Sequence, residues 1–308
     1  MPFAIFKKIA EIKSKFGQRT MVLHTVGEPF LCTYLEELVI FCKQNKLTIT
    51  TTTNGLLLHN HEKLLKKYFD VFSRINFSID GATAQTYERI RKGGNFKRLL
   101  RNVEMMQAYK KHIAMDVQVC VSNENFHEIP RFFEVFKPYF SYDQFLFGFV
   151  ANLSSEMGME ENYFHKQRID LQHLVKRPVP CSFFWQQTHV LHDGRVSACC
   201  RDYNGELIMG DLKKEGILEI WNNARYSGYR KAHAQNDEQS LPQMCKACLS
   251  VDKEITKLFN DFIRFCYLKY PGISADDFVE KLRTWVGLLN RPRPRDIGDF
   301  VRLLEDQV

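Results

Sequence analysis

The sequence predicts an α/β protein built on a parallel sheet, followed by a small cysteine-centred domain and a helical tail. Three features of its 308 residues carry that expectation. Strand-like and helix-like runs alternate through the first half of the chain, the pattern of right-handed βαβ units. Three successive strand-like runs close on glycine-bearing ends, at Gly27-Glu28-Pro29, Thr53-Asn54-Gly55 and Asp80-Gly81. Five of the nine cysteines then crowd into the stretch from Cys181 to Cys248.

Residues 3–16 open the chain as a helix, with Phe3, Phe6, Ile9, Ile12 and Phe16 at helical spacing and Lys7, Lys8, Lys13 and Lys15 on the polar face. One apolar stripe suits a helix packed on a sheet. Met21–Val26, Leu47–Thr52, Arg74–Ile79, Met115–Val121 and Gln144–Val150 read as five strands. Tyr34–Lys43, Glu62–Phe69, a long run broken near Gly93-Gly94, and Phe126–Phe136 read as the intervening helices. Residues 154–176 are polar and charged and are expected to form a bridging helix, with Pro178 and Pro180 marking the passage to the next domain. Beyond Cys248, Ile255, Leu258, Phe259, Phe262, Ile263 and Cys266 share one helical face, stopped by Pro271-Gly272. Ser274–Leu289 suggests a last helix with Ser274 as its N-cap. The arginine- and proline-rich run 291–295 reads as a turn or exposed linker. The expected division is 1–153, 154–180, 181–249 and 250–308.

In a parallel sheet all carboxyl ends lie along one edge, and ligands bind there. Gly27, Glu28, Pro29, Asn54, Ser78, Asp80 and Asn123 fall at or near those ends. Glycine lets the backbone approach a ligand closely, and Pro29 stiffens the first turn.

Between Cys181 and Cys199 a hairpin is expected, with Thr188–Leu191 and Arg195–Ala198 as strands and His192-Asp193-Gly194 as the turn. It folds the chain back on itself, and Cys245-x-x-Cys248 adds two thiolates at metal-ligand spacing. Four thiolates from two separated segments make a closed site for an iron–sulfur cluster or a structural zinc ion. Cys199 and Cys200 compete for one position; on a strand only one of two neighbours faces the site, and Cys199 is favoured. Cys32, Cys42 and Cys120 read as ordinary core cysteines.

Composition excludes several classes. Apolar content of 44% and charged content of 26% are globular values. No apolar run is long enough to span a bilayer, and the charged first residues are not a secretory signal. Clustered cysteines fit a reducing, cytoplasmic setting better than a disulfide framework. The formal charge of +7 comes without a dense basic block, so a solvated surface is expected and no nucleic-acid partner.

The cysteine stretch, with Asp193-Gly194, Met209-Gly210-Asp211-Leu212, Glu219-Ile220-Trp221 and the closing CxxC, resembles the auxiliary-cluster (SPASM, or one-cluster twitch) extension of radical S-adenosylmethionine (radical SAM) enzymes. Gly27-Glu28-Pro29, Thr53-Asn54-Gly55, Ser78-Ile79-Asp80-Gly81 and the following YERIRKGGNFKRLLRNVE segment resemble the strand ends and fourth helix region of that family's partial (β/α)6 barrel. The resemblance implies one auxiliary [4Fe–4S] cluster on Cys181, Cys199, Cys245 and Cys248. It also implies S-adenosylmethionine at the barrel rim, its amino group meeting the Gly-Glu-Pro motif and its ribose the Ser78/Asp80 end. A peptide or small-molecule substrate and an electron donor such as flavodoxin or ferredoxin are the partners implied.

The family's signature is a CxxxCxxC loop after the first barrel strand, and no such spacing occurs in these 308 residues. The expectation is a barrel without its first strand. The chain is then either part of a radical SAM oxidoreductase or maturase acting by 5′-deoxyadenosyl radical hydrogen abstraction, or a non-catalytic metal-binding relative with a structural four-cysteine site.

Overall fold

The computed structural model describes residues 1–24, 27–122, 124–149, 175–176, 180–246, 248, 250–251 and 253–289. The first half is the expected alternation. Helix α1 (Phe3–Lys15) leads into β1 (Thr20–Val22), α2 (Leu35–Gln44), β2 (Thr48–Thr53), α3 (Glu62–Tyr68) and β3 (Phe72–Ser78). Then come α4 (Ala84–Ile90), α5 (Phe96–Met106), β4 (Ala114–Val121), α6 (Ile129–Phe136) and β5 (Phe145–Phe149). The five strands form one sheet in the order β1-β2-β3-β4-β5, every neighbouring pair parallel. This is the α/β, partial-barrel arrangement the sequence predicts, with β1 and β5 at the sheet's edges.

Alternation within each strand decides the two faces of the sheet. Ile49, Thr51, Thr53, Ile75, Phe77, Val117, Val119, Val121, Phe145 and Phe147 are buried, and most of them form the core under the helices. The helices supply matching stripes, such as Leu99, Val103 and Met106 on α5 and Ile129, Phe132, Phe133 and Phe136 on α6. Each such side chain contributes about 1.5–3 kcal/mol on burial. The opposite parity carries Thr50, Thr52, Arg74, Asn76, Asp116 and Gln118. The inner face of the partial barrel is therefore polar.

After β6 (Val175–Lys176) the cysteine domain contains α7 (Phe183–Gln186), β7 (His189–Val190), β8 (Arg195–Ser197), β9 (Ile208–Asp211), α8 (Ile217–Asn222), α9 (Ala224–Gln235) and α10 (Gln243–Lys246). Strands β7, β8 and β9 form an antiparallel sheet. Asp193 holds the expected turn by accepting from Arg195 N at 3.0 Å, while Gly194 adopts φ +95°. Gly210 is required by packing, because a Cβ there would lie 2.6 Å from Ile220 Cγ1. β10 (Ser250–Val251) pairs antiparallel with β6, and α11 (Lys253–Lys269) and α12 (Ala275–Leu289) follow.

Several expectations need correction. Helix α1 serves two cores: Phe6 and Ala10 pack on the barrel, while Ile5 joins Phe184, Val196, Met209 and Ile220 in the cysteine domain. Phe16, assigned to the apolar stripe, follows the helix and is 63% exposed. Residues 175–176 are strand, not helix; residues 154–174, the arginine-rich run and Asn123 lie outside the described residues. Cys42 and Cys266 are core cysteines whose burial pushes their thiols up to about 12, but Cys120 shares the parity of Gln118 and is exposed.

The β5 edge is closed by a side chain. Asn260 on α11 accepts from Phe147 N at 3.0 Å and donates to Phe147 O at 2.8 Å, as a neighbouring strand would. Asn260→Ala is expected to lower stability by about 1–3 kcal/mol, read from urea unfolding, because it leaves both backbone groups unpaired.

Candidate functional site

The strand ends converge through buried hydrogen bonds. Glu28 follows β1 and turns its carboxylate onto the end of β2, accepting from Thr53 Oγ1 at 2.7 Å and from Asn54 N at 2.7 Å. It also accepts from Phe30 N at 3.1 Å, where Pro29 opens a short 3-10 turn. A carboxylate has about four acceptor positions, so three are taken by the protein. Asn54 Oδ1 accepts from Leu56 N at 2.9 Å, and Gly55 takes the positive φ of +76° that this turn needs.

Asp80 ties β3 to β4. It is 6% exposed; Oδ1 accepts from Cys120 N at 2.8 Å, and Oδ2 pairs with Arg91 Nη2 at 2.7 Å. Ser78 ends β3 half-buried. Gly81 is fixed by contact, since a Cβ there would lie 2.4 Å from Tyr87 N. Glu28, Asn54, Ser78 and Asp80 thus stand on three successive strand ends along one rim.

Three residues missed by sequence reading hold this rim. Asn125 donates to Asp80 O and to Cys120 O, both at 2.9 Å. Glu128 is buried and accepts from Ala82 N at 2.8 Å, Thr83 Oγ1 at 2.8 Å and Thr86 Oγ1 at 2.6 Å. Tyr87 is fully buried with no partner for its hydroxyl among the described residues, and burial pushes its phenol up to about 12. No local pattern signals the bonds of Asn125 to Asp80 and of Glu128 to Ala82, because each spans more than 40 residues.

A second polar group lies at β2, beyond the end of β1. Thr52 N donates to His24 Nδ1 at 3.1 Å, and His24 Nε2 lies 3.2 Å from Thr52 Oγ1. His189 on β7 is near enough that His24, after burial, adds to the lowering of its pKa; burial alone lowers that of His24.

All five cysteines of the third segment are half-buried and reduced. Ionisation of Cys181 is opposed by burial and then by Cys248 and Cys200; Cys248 in turn feels Cys200. Cys199 is driven up by its hydrogen bond with Cys200, which itself is brought down to about 7 by that bond. Strand β8 stops at Ser197, so the strand-parity argument for choosing between the two does not apply. Arg201, also missed, donates from N to Cys199 Sγ at 3.4 Å and from Nη1 to Cys248 Sγ at 3.9 Å. Among the described residues, no three His, Cys, Asp or Glu side chains are gathered tightly enough to hold a single metal ion.

Two outcomes follow from these contacts. Glu128→Ala is expected to cost about 3 kcal/mol or more by chemical denaturation, since three donors lose a charged acceptor, whereas Glu128→Gln retains part of the network. His24 and His189 bind protons less readily folded than unfolded, where histidine titrates near about 6.5. Their contribution is whole above that pH and is lost as pH falls toward the folded values. Between pH 7.5 and 5.5 the wild-type urea midpoint should drop more than that of His24→Gln.

No described helix is long and apolar enough to cross a membrane. The radical SAM superfamily profile matches residues 4–136, and that of the SPASM iron–sulfur cluster-binding domain matches residues 181–249. A probable GTP 3′,8-cyclase of Methanococcus maripaludis is 33% identical over 98 residues, 32% of this chain and 32% of that protein. An AdoMet-dependent heme synthase of Methanosarcina barkeri is 31% identical over 130 residues, 42% of this chain and 36% of that protein. The chain thus spans about a third of the length of these curated relatives. Among solved structures, native anSMEcpe with bound AdoMet superposes with a TM-score of 0.58 at 14% identity, covering 91% of this chain and 90% of that one. The chain belongs to the radical SAM superfamily and carries its SPASM-type iron–sulfur cluster-binding domain.

Proposed function

We propose that this chain provides the cofactor rim and the auxiliary-cluster domain of a radical SAM oxidoreductase or maturase acting on a peptide or small molecule. The observation that carries this reading is the joint placement of Glu28, Asn54, Ser78 and Asp80 on one barrel rim. The superfamily's cofactors are [4Fe–4S] clusters and S-adenosylmethionine, and a reduced cluster supplies the electron that cleaves S-adenosylmethionine to a 5′-deoxyadenosyl radical.

The rim suits a polar ligand. Among the described residues, the Tyr87 hydroxyl and Arg91 Nε are buried without partners. Glu28 keeps one acceptor position for a donor such as an ammonium. Because Glu28 and Asp80 are themselves anchored to backbone amides, the rim holds its shape before a ligand arrives.

The auxiliary site suits a cluster in donor chemistry. Cys248 lies within electrostatic reach of both Cys181 and Cys199, and Cys248 N bonds to Cys245 O at 3.2 Å in the CxxC turn. A four-iron cluster holds its thiolates farther apart than a single zinc ion does, in keeping with sulfurs that share a neighbourhood without a tight cage. Arg201 places positive charge beside thiolates that would otherwise repel one another. The radical-generating cluster is different: no CxxxCxxC occurs here, and Cys32, Cys42 and Cys120 sit on separate elements. These residues do not fit that group, and no step of radical generation is assigned to them.

Anaerobic reconstitution is expected to give brown protein with about four irons per chain. Cys199→Ala should abolish iron uptake and Cys200→Ala should not; the reverse would make Cys200 the ligand. Stoichiometric zinc without iron uptake would support a structural metal site instead. Given dithionite and S-adenosylmethionine, these 308 residues should form no 5′-deoxyadenosine above background, since a four-cysteine cluster has no open iron. Joining a segment that carries CxxxCxxC should establish the activity. Continued inactivity of that longer, fully reconstituted protein would favour the non-catalytic metal-binding reading.

A further inference from the structure

A cation faces the cysteine site from the segment that carries two of its thiols. Arg201 follows Cys199 and Cys200 and meets sulfur twice. Its N donates to Cys199 Sγ at 3.4 Å, and its Nη1 donates to Cys248 Sγ at 3.9 Å. The two sulfurs come from separate segments, the loop after β8 and the CxxC turn, so one residue reaches both. The contact with Cys248 is the same whether Cys199 or Cys200 is the ligand.

The loop is built to hold that pose. Asp202 is fully buried; its Oδ2 accepts from Ser197 Oγ at 2.6 Å and from Leu207 N at 3.0 Å, and its Oδ1 from Glu206 N at 2.7 Å. Asp202 N donates to Cys199 O at 3.3 Å, and Cys199 N donates to Ser197 Oγ at 3.2 Å. The carboxylate next to Arg201 in sequence is thus engaged by the loop, and the backbone that carries Arg201 is fixed on both sides. Other basic side chains of the domain are engaged elsewhere. Arg195 pairs with Asp193 at 2.6 Å, Arg230 donates to Phe184 O and Trp221 O, and Lys246, inside the CxxC turn, donates to Gln239 O at 3.0 Å. Burial opposes ionisation of Cys181 and Cys248, and the Arg201 charge works against it at both.

The sign of the effect follows from charge. A guanidinium stays protonated throughout the working range of pH. One electron added to a cluster held by four thiolates makes an already negative group more negative, and net charge and hydrogen bonds to the sulfurs set such potentials. A fixed positive charge and two N–H donors at the sulfurs both favour the reduced state. We propose that Arg201 acts through the cysteine ligands as a positioning residue that raises the reduction potential of the auxiliary cluster, and so biases this domain toward accepting an electron. The proposal rests on the cluster reading of the four cysteines.

The test is an EPR-monitored redox titration, with dithionite as the electron source, of the anaerobically reconstituted 308 residues. They contain no CxxxCxxC, so the signal belongs to the auxiliary cluster. Arg201→Gln keeps the backbone donor to Cys199 and removes the charge beside Cys248. Its equilibrium constant for one-electron reduction is expected to fall about tenfold, a midpoint about 59 mV lower. Arg201→Lys keeps the charge and should fall by about threefold or less. A fall of less than about twofold in Arg201→Gln overturns the proposal, as does an equal fall in Arg201→Lys. Iron is counted on the same samples, and Arg201→Met replaces Arg201→Gln should the latter hold none. Iron lost from both neutral variants assigns Arg201 to assembly of the site and overturns the proposal. Wild type without iron overturns the cluster reading and the proposal with it, whereas iron-loaded proteins of unchanged potential count against the proposal alone.

Discussion

A parallel sheet leaves the backbone groups at its carboxyl rim without ladder partners, and each must be paired or wet. Here long-range side chains do the pairing. Asp80 takes the Cys120 amide, Asn125 takes the carbonyls of Asp80 and Cys120, and Glu28 takes the Asn54 amide. Asn102 adds a bond to Gly55 O at 2.6 Å, and Glu128 takes Ala82 N. These bonds tie the strand-end turns to one another. A rim fixed in this way can present atoms to a ligand without first ordering them, which keeps the entropic cost of binding low.

Helix α1 sets the position of the cysteine domain against the barrel. Ile5 enters the second core and contacts the hairpin turn closely enough that a Cβ on Gly194 would lie 2.5 Å from Ile5 Cδ1. Lys8 adds a bond from Nζ to Leu212 O at 2.9 Å. One short helix with two apolar faces therefore belongs to both units.

The two faces of the sheet divide the work. The helix side is packed with aromatic and branched residues, and contacts such as Phe77 with Phe140, at 5.8 Å between ring centres, give it rigidity. The inner side is lined with threonine, asparagine and paired charges, which have no role in the core. Buried polar atoms without a partner among the described residues occur on both faces, Asn76 Oδ1 on the inner one and Thr51 Oγ1 on the helix one, and each lowers stability.

Local pattern alone determined the order of strands and helices, because residue period and turn chemistry are properties of neighbours in the chain. The strand ends at Glu28, Asn54 and Asp80, the Gly194 turn, the Ser274 cap and the cysteine-rich segment were all legible for that reason. Most strand limits shifted by one or two residues, but β1 covers Thr20–Val22 rather than Met21–Val26, because pairing with β2 rather than apolar content sets its span. Tertiary structure decided what depends on distance in space. Phe16 matches a helical stripe yet follows the helix and stays exposed. Cys120 lies in an apolar run but on the polar face. Cys199 and Cys200 leave the strand before parity can choose between them. Asn125, Glu128, Arg201 and His189 gain their roles from groups many residues away, and no local pattern encodes such a meeting. It exists only once the hydrophobic cores have fixed where each backbone runs.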